Sequence, residues 1–208
     1  MSLLLRAAVC SLLFVSLPAF AKGDAAAGQA KSAVCAACHG VDGNSMVPTW
    51  PKLAGQHEQY LTRQVQLIKA GDREVVEMVA IEPGLSDQDI EDISAFFASQ
   101  VNSGGVADET KVEVGERIYR AGNMESGVPA CMACHGPAGE GNPPAGYPAL
   151  AGQHSVYTAK ALTRFRAGEN WGEKDAQSQI MNGSAAELTD EEIEAVASYV
   201  QGLHLAGE

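Results

Sequence analysis

CAACH at residues 35–39 and CMACH at residues 131–135 each set two thiols three positions apart and follow the second with an imidazole. On a helix that spacing is close to one turn, so both thiols face the same object and the imidazole comes round beneath it. Two such thiols can bond the two vinyl groups of one haem while the histidine ligates its iron, and Cys-x-x-Cys-His is the attachment signature of c-type haem. Cys35 and Cys38 with His39, and Cys131 and Cys134 with His135, are the candidate attachment residues and proximal ligands. Other uses of paired cysteines fit less well. A redox dithiol wants a strand–helix context that neither motif has. One zinc site would gather both pairs into a single cluster, yet each pair comes with its own downstream unit. A disulfide between cysteines three apart would constrain little.

Iron held by one histidine has an open face, and its occupant separates an electron carrier from an enzyme. A thioether raises the potential and blocks oxygen or peroxide; a labile site permits catalysis. Of the six methionines, Met1 is lost with the leader, Met132 lies inside the motif, Met124 closely precedes it and Met46 follows His39 by only seven residues. Met78 and Met181 remain, 39 and 46 residues after their histidines and each eight residues before a capping Ser86 or Thr189. A lone buried methionine is ordinarily core filler; the repeat makes these two the candidate distal ligands. Each proximal imidazole also needs an acceptor for its second nitrogen proton, for which a carbonyl near Pro51 and Pro148 is a source.

The elements that must hold these groups are written twice. WPKLAGQHEQY (50–60) and YPALAGQHSVY (147–157) are 97 apart, and the segments starting at Met78 and Met181 are 103 apart, the drift lying around NWGEKDAQSQ. Gly43-Asn44 and Gly141-Asn142 pair at a spacing of 98. Leu61, Val65 and Ile68, matched by Thr158, Leu162 and Phe165, fall at helical spacing. Ser86 with Asp89 and Thr189 with Glu192 read as capping boxes. Ile90, Ile93 and Phe97 then form one apolar stripe, and Ile193, Val196 and Val200 its counterpart. AAAGQAKSA and VEVGERIYRAG read as opening helices, with Gly28 and Gly115 allowing each to cross the last helix closely under Phe96 or Tyr199. No alternating strand pattern occurs, so the fold class is all-α, with long Gly/Pro-containing loops. Tyr60, Tyr157, Arg63 and Lys160 recur in register and have two open readings, haem propionate partners or solvated helix surface. His57 and His154 recur in AGQH, where loop packing competes with iron ligation. Apolar material is thin for the size of each unit, so the haem should complete the core and a haem-free chain should fold poorly.

Residues 1–21 read as a secretory signal that is cleaved: Arg6 is the only charge, the apolar run LLFVSLPAFA follows, and Ala19-Phe20-Ala21 is a small-x-small site. The run is short of the roughly 20 apolar residues that span a bilayer. The units are then 22–100 and 112–208, joined by a Gly-rich polar linker, 101–111. Net charge is −12, becoming −13 when Arg6 leaves, and no basic patch interrupts it, which excludes nucleic acid as a natural partner.

The paired CxxCH motifs, the PKLAGQH and PALAGQH loops, and Met78 and Met181 ahead of their capped helices resemble the di-haem cytochrome c4 family over about 187 residues from Lys22. The resemblance implies two tandem class I cytochrome c domains packed face to face, each a small helical bundle around one covalently bound haem c. It implies haem propionates near the domain interface, and His39 with Met78 and His135 with Met181 as axial pairs. It further implies a periplasmic one-electron carrier, not an enzyme, often loosely attached to a membrane surface. Its donor would be a quinol-oxidising complex (quinol-cytochrome c reductase) and its acceptor a terminal oxidase. Rival readings are the haem subunit of a flavocytochrome dehydrogenase and a di-haem peroxidase. AGDREVVEM, the loop before Met78, is short against its counterpart, which makes equal potentials for the two haems doubtful.

Overall fold

The structure is a computed structural model and describes residues 23–79, 84–172 and 175–205. The signal at 1–21 lies outside the described residues. The first unit runs through α1 (Ala25–Lys31), α2 (Ala33–His39), α3 (Glu58–Ala70), a 3₁₀ turn (Val76–Met78) and α4 (Asp87–Ala98). The second runs through α5 (Val112–Ala121), α6 (Met132–His135), a 3₁₀ turn (Pro143–Ala145), α7 (Ser155–Arg166), α8 (Ala176–Ala185) and α9 (Asp190–Gln201). Two isolated antiparallel bridges, Asn123–Val128 and Asn142–Tyr147, stand in place of strands among the described residues. No helix among them is long and apolar enough to cross a membrane.

Both capping boxes form as the sequence predicts. Ser86 Oγ accepts from Asp89 N while the Asp89 carboxylate accepts from Ser86 N, and Thr189 and Glu192 repeat the exchange. Satisfying the orphan amides of a first turn is worth about 1 kcal/mol at each helix. From these starts α4 buries Ile90, Ile93, Phe96 and Phe97, and α9 buries Ile193, Val196 and Val200.

Helix α1 crosses α4, and α5 crosses α9, at the two glycines. A methyl on Gly28 would lie 1.9 Å from Asp92 O, and one on Gly115 2.3 Å from Ala195 O, so neither crossing tolerates a side chain. The buried clusters differ in size. Leu61, Ile93, Phe96 and Phe97 form the first; Ile118, Tyr119, Phe165, Trp171, Leu188, Ile193 and Val196 are among the members of the second.

One register differs from the sequence expectation. Gly43 O accepts from Leu53 N and Ala54 N, and it is Gly139 O that accepts from Leu150 N and Ala151 N. Gly43 therefore corresponds to Gly139 rather than to Gly141. The backbone hydrogen bonds, not the recurring Gly-Asn pair, define the turn.

The units meet through the second half of the repeated AGQH. Gln56 Nε2 donates to Ala149 O at 2.9 Å and its Oε1 accepts from Ala149 N at 3.0 Å. Gln153 does the same to Lys52 O and Lys52 N, both at 2.9 Å. Each glutamine thus extends a strand-like pair of bonds to the other unit's PKL or PAL segment. His154 Nε2 bonds Ser45 O at 2.8 Å and approaches Ser45 Oγ at 3.0 Å. The matching His57 Nε2 lies against Gly141 and makes no bond of comparable geometry, the Glu140 backbone being its nearest polar influence. Between them Asn102 Nδ2 reaches Ala54 O at 3.4 Å and Ala151 O at 3.5 Å.

Candidate functional site

Each CxxCH motif is wound into a short helix, α2 for Cys35, Cys38 and His39, and α6 with its N-cap Cys131 for Cys134 and His135. Gly40 and Gly136 follow at φ 81° and 79°, where a side chain would be strained, and let the chain turn away directly after the imidazole.

Those imidazoles are 9% and 6% exposed. His39 Nδ1 lies 2.9 Å from Pro51 O and His135 Nδ1 lies 3.0 Å from Pro148 O. A carbonyl oxygen can only accept, so Nδ1 carries the proton and each Nε2 keeps a free lone pair. Burial lowers both imidazole pKa values, with the proline carbonyls opposing. Both rings are neutral bases at pH 7, oriented as a metal ligand needs.

Burial also pushes the Cys35 and Cys131 thiols up to about 11. A redox dithiol or a zinc thiolate needs the reverse, a depressed pKa. A protonated thiol suits addition across a vinyl double bond.

In the first unit Cys35, Cys38, His39 and Met78 line one cavity of about 410 Å³, walled by Leu53, Leu61, Ile68, Ile90, Ile93 and Phe97. That volume lies within the roughly 300–1,000 Å³ of cofactor sites. The far wall belongs to the second unit and includes Tyr157, Lys160, Phe165 and Trp171. In the second unit Cys131, Leu150 and Met181 pack half-buried against one apolar cluster, so motif, loop and methionine converge there too. Met46 and Met124 are 94% and 96% exposed and serve neither site.

The cavity wall carries a polar group that lacks an acceptor. Gln64 lines it and is 5% exposed, yet its Nε2 has no hydrogen-bond partner. A buried donor left open costs about 1–3 kcal/mol, which a carboxylate-bearing edge would relieve. An apolar-walled cavity with thiols, a neutral imidazole and a thioether inside and an unsatisfied donor on its wall fits haem.

Of the four recurring polar residues, Tyr60, Arg63 and Tyr157 gather at the unit boundary, while Lys160 lines the first unit's cavity from an exposed position on α7. Arg63 pairs with Asp175 across the boundary and its Nη2 donates to Gln177 Oε1 at 3.3 Å. Tyr157 Oη accepts from Arg73 Nη2 at 3.1 Å. Burial, with Tyr157 nearby, pushes the Tyr60 hydroxyl up to about 12. His57 and His154 are interface groups. Sequence reasoning missed Gln56, Gln153 and Arg73. The repeat of AGQH was the available signal for the glutamines; Arg73 has no repeat to mark it.

Residues 25–100 and 112–204 match the family described as Cytochrome c. The chain is 53% identical over 195 residues to cytochrome c4 of Stutzerimonas stutzeri, covering 89% of this chain and 92% of that protein. It superposes on the crystal structure of reduced recombinant cytochrome c4 from Pseudomonas stutzeri with a TM-score of 0.83 at 53% identity, covering 88% of this chain and all of the other. At 34% identity over 169 residues, covering 79% of this chain and 76% of the relative, it is also similar to a thiosulfate dehydrogenase electron acceptor of Stutzerimonas stutzeri (strain A1501).

Proposed function

Because this chain belongs to the cytochrome c family, as a two-domain, di-haem electron-transfer protein of the cytochrome c4 type, we propose that it shuttles single electrons in the periplasm, from a quinol-oxidising complex to a terminal oxidase. In this reading residues 1–21 direct export and are removed, and 22–100 and 112–208 are the two domains about the linker 101–111. Cys35 and Cys38 would hold one haem c, with His39 and Met78 as the residues that would ligate its iron. Cys131 and Cys134 would hold the other, with His135 and Met181.

The single observation that carries this assignment is the shared cavity wall. His39, with its Nδ1 proton held by Pro51 O, and Met78 open into the same apolar space as both cysteines. When bound, haem supplies an iron that gains and loses one electron. The chain's part is to orient each imidazole, exclude water with the apolar walls and offer a thioether opposite. Buried apolar surroundings keep reorganisation small, and the thioether closes the iron to oxygen chemistry.

Mass spectrometry of the exported protein should show a chain beginning at Lys22 with two haems added. Redox titration with optical and magnetic spectra should show two one-electron steps with His/Met signatures. A bare chain, or one haem, overturns the assignment.

A second reading has support in the relative that serves thiosulfate dehydrogenase. This chain would then take electrons from a periplasmic dehydrogenase, as its haem subunit or bound acceptor. Purification from the native source separates the two, since a stoichiometric dehydrogenase chain would replace the free shuttle.

A further inference from the structure

Arg73 is a charged residue of the first unit's cavity wall that the assignment above leaves unused. It lines the same space as Cys35, His39 and Met78. Three contacts fix its guanidinium, and two come from the second unit. Nη1 donates to Gln64 Oε1 at 2.7 Å, Nη2 donates to Tyr157 Oη at 3.1 Å, and the plane lies 4.6 Å from the ring centroid of Trp171. Trp171 is itself 8% exposed and seated against Phe165 at 5.2 Å.

All three partners are neutral. Among the described residues no carboxylate forms an ion pair with Arg73, and Glu169, whose field reaches it, is taken by Arg164. A half-buried cation with only neutral hydrogen-bond partners is costly unless a negative charge accompanies it. Among the described residues the second unit has no equivalent. Asp72 N bonds Leu67 O as Glu169 N bonds Arg164 O, which aligns Arg73 with Asn170, and Asn170 is neutral and exposed.

Resting on the haem assignment above, we propose that Arg73, steadied by Trp171 and Tyr157 from the second unit, is the counter-cation of the first haem. It raises that haem's midpoint potential above the value the site would have without this charge. A fixed positive charge beside a site that gains one electron favours the reduced state, and in a low-dielectric interior the effect is several-fold larger than in water. One electron is gained and no bond or proton moves. Arg73 is a positioning residue for charge, and the second unit thereby tunes the first.

The test uses the full-length holoprotein and reads the two midpoints separately, from the haem-methyl proton resonances of each haem during a redox titration. Arg73→Gln should lower the first haem's reduction equilibrium about tenfold, close to 59 mV for one electron, and leave the second haem within a twofold change. Arg73→Lys should restore most of the loss, because the charge returns. Trp171→Leu, an alteration in the other unit, should shift the first haem in the same direction by a smaller factor. A purely structural Arg73 would instead change the melting temperature with both midpoints unmoved, and that result overturns the proposal. Equal shifts of both haems overturn it as well, and an unmoved first haem in Trp171→Leu removes the cross-unit half. Should Arg73→Gln fail to fold, Arg73→Lys and Trp171→Leu decide alone. Failure of the haem assignment looks different, since wild-type protein would then lack two His/Met-ligated haems.

Discussion

Met78 and Met181 stand at matching places in the repeat and are held in different ways. Met78 closes a three-residue 3₁₀ turn beside Val76 and Val79, which are 73% and 58% exposed. Met181 sits in the middle of the ten-residue α8 and packs against the larger apolar cluster. Helix α8 is capped by Asp175, which accepts from Ser178 N and pairs with Arg63 of the first unit. Among the described residues the turn of Met78 has one comparable tie, Arg164 Nη2 donating to Glu74 O at 3.0 Å. The proposed ligand positions therefore rest on a solvent-facing turn in one unit and on a packed helix in the other. Ligand identity sets the broad potential; the support sets how readily the ligand can leave.

Replacing the methionines breaks the comparison most severely. Met181→Ala should lower that haem's reduction equilibrium at least tenfold and open it to carbon monoxide, and it should also cost about 2–3 kcal/mol because α8 loses a packed side chain. Met78→Ala should match the redox loss at a smaller stability cost. Equal costs in denaturant melts would mean that the turn is as well supported as the helix.

The next largest effects belong to the helix crossings. Gly28→Ala and Gly115→Ala should each destabilise by about 1–3 kcal/mol through overpacking. Gly28 should be the worse site, since the added methyl would lie 1.9 Å from a backbone oxygen against 2.3 Å at Gly115. Thermal melts of the two variants rank them directly.

Gln56→Ala and Gln153→Ala should each cost about 1–2 kcal/mol at the domain boundary. Their near-equality is the symmetric part of the comparison, and limited proteolysis should show the linker opening in both. A large inequality would show that one clasp dominates.

The smallest expected effect separates His57 from His154. Burial lowers both pKa values below the ordinary imidazole value. The unfolded chain therefore binds more protons than the folded one below about pH 6.5. Stability from these groups is present above that pH and is lost as pH falls through it toward the lower folded values. His154→Gln should cost about 1 kcal/mol through its bond to Ser45, whereas His57→Gln should be close to neutral. Each should flatten the stability loss between about pH 6.5 and 5, as read from melts across that range.

Much of this architecture is legible from residues alone, and for local reasons. Capping boxes, the stripe Ile90–Ile93–Phe97, the crossing glycines and the proline carbonyls behind His39 and His135 all depend on neighbours close in sequence or on a repeat. What escaped the reading is non-local. Gln56 finds its partner 93 residues away and Gln153 101 residues away, and nothing in AGQH says that the amide faces another unit. Arg73 escaped because repeat logic discards whatever occurs once. The Gly43–Gly141 match misled because Gly-Asn is a common turn pair, while the true equivalence lies in which carbonyl accepts from Leu53 or Leu150. Helix α8 was hidden in the inserted stretch for the same reason as Arg73.

The paired glutamine contacts have an evolutionary corollary. Because the same AGQH patch serves on both sides, the glutamine clasp at the boundary is isologous, with Gln56 answering Gln153. A single ancestral unit carrying that patch could have met a second copy of itself as a homodimer before any fusion. Asn102, which reaches the matching carbonyls Ala54 O and Ala151 O, belongs to neither copy of the repeat, so the joining segment adds a contact that such a dimer would have lacked.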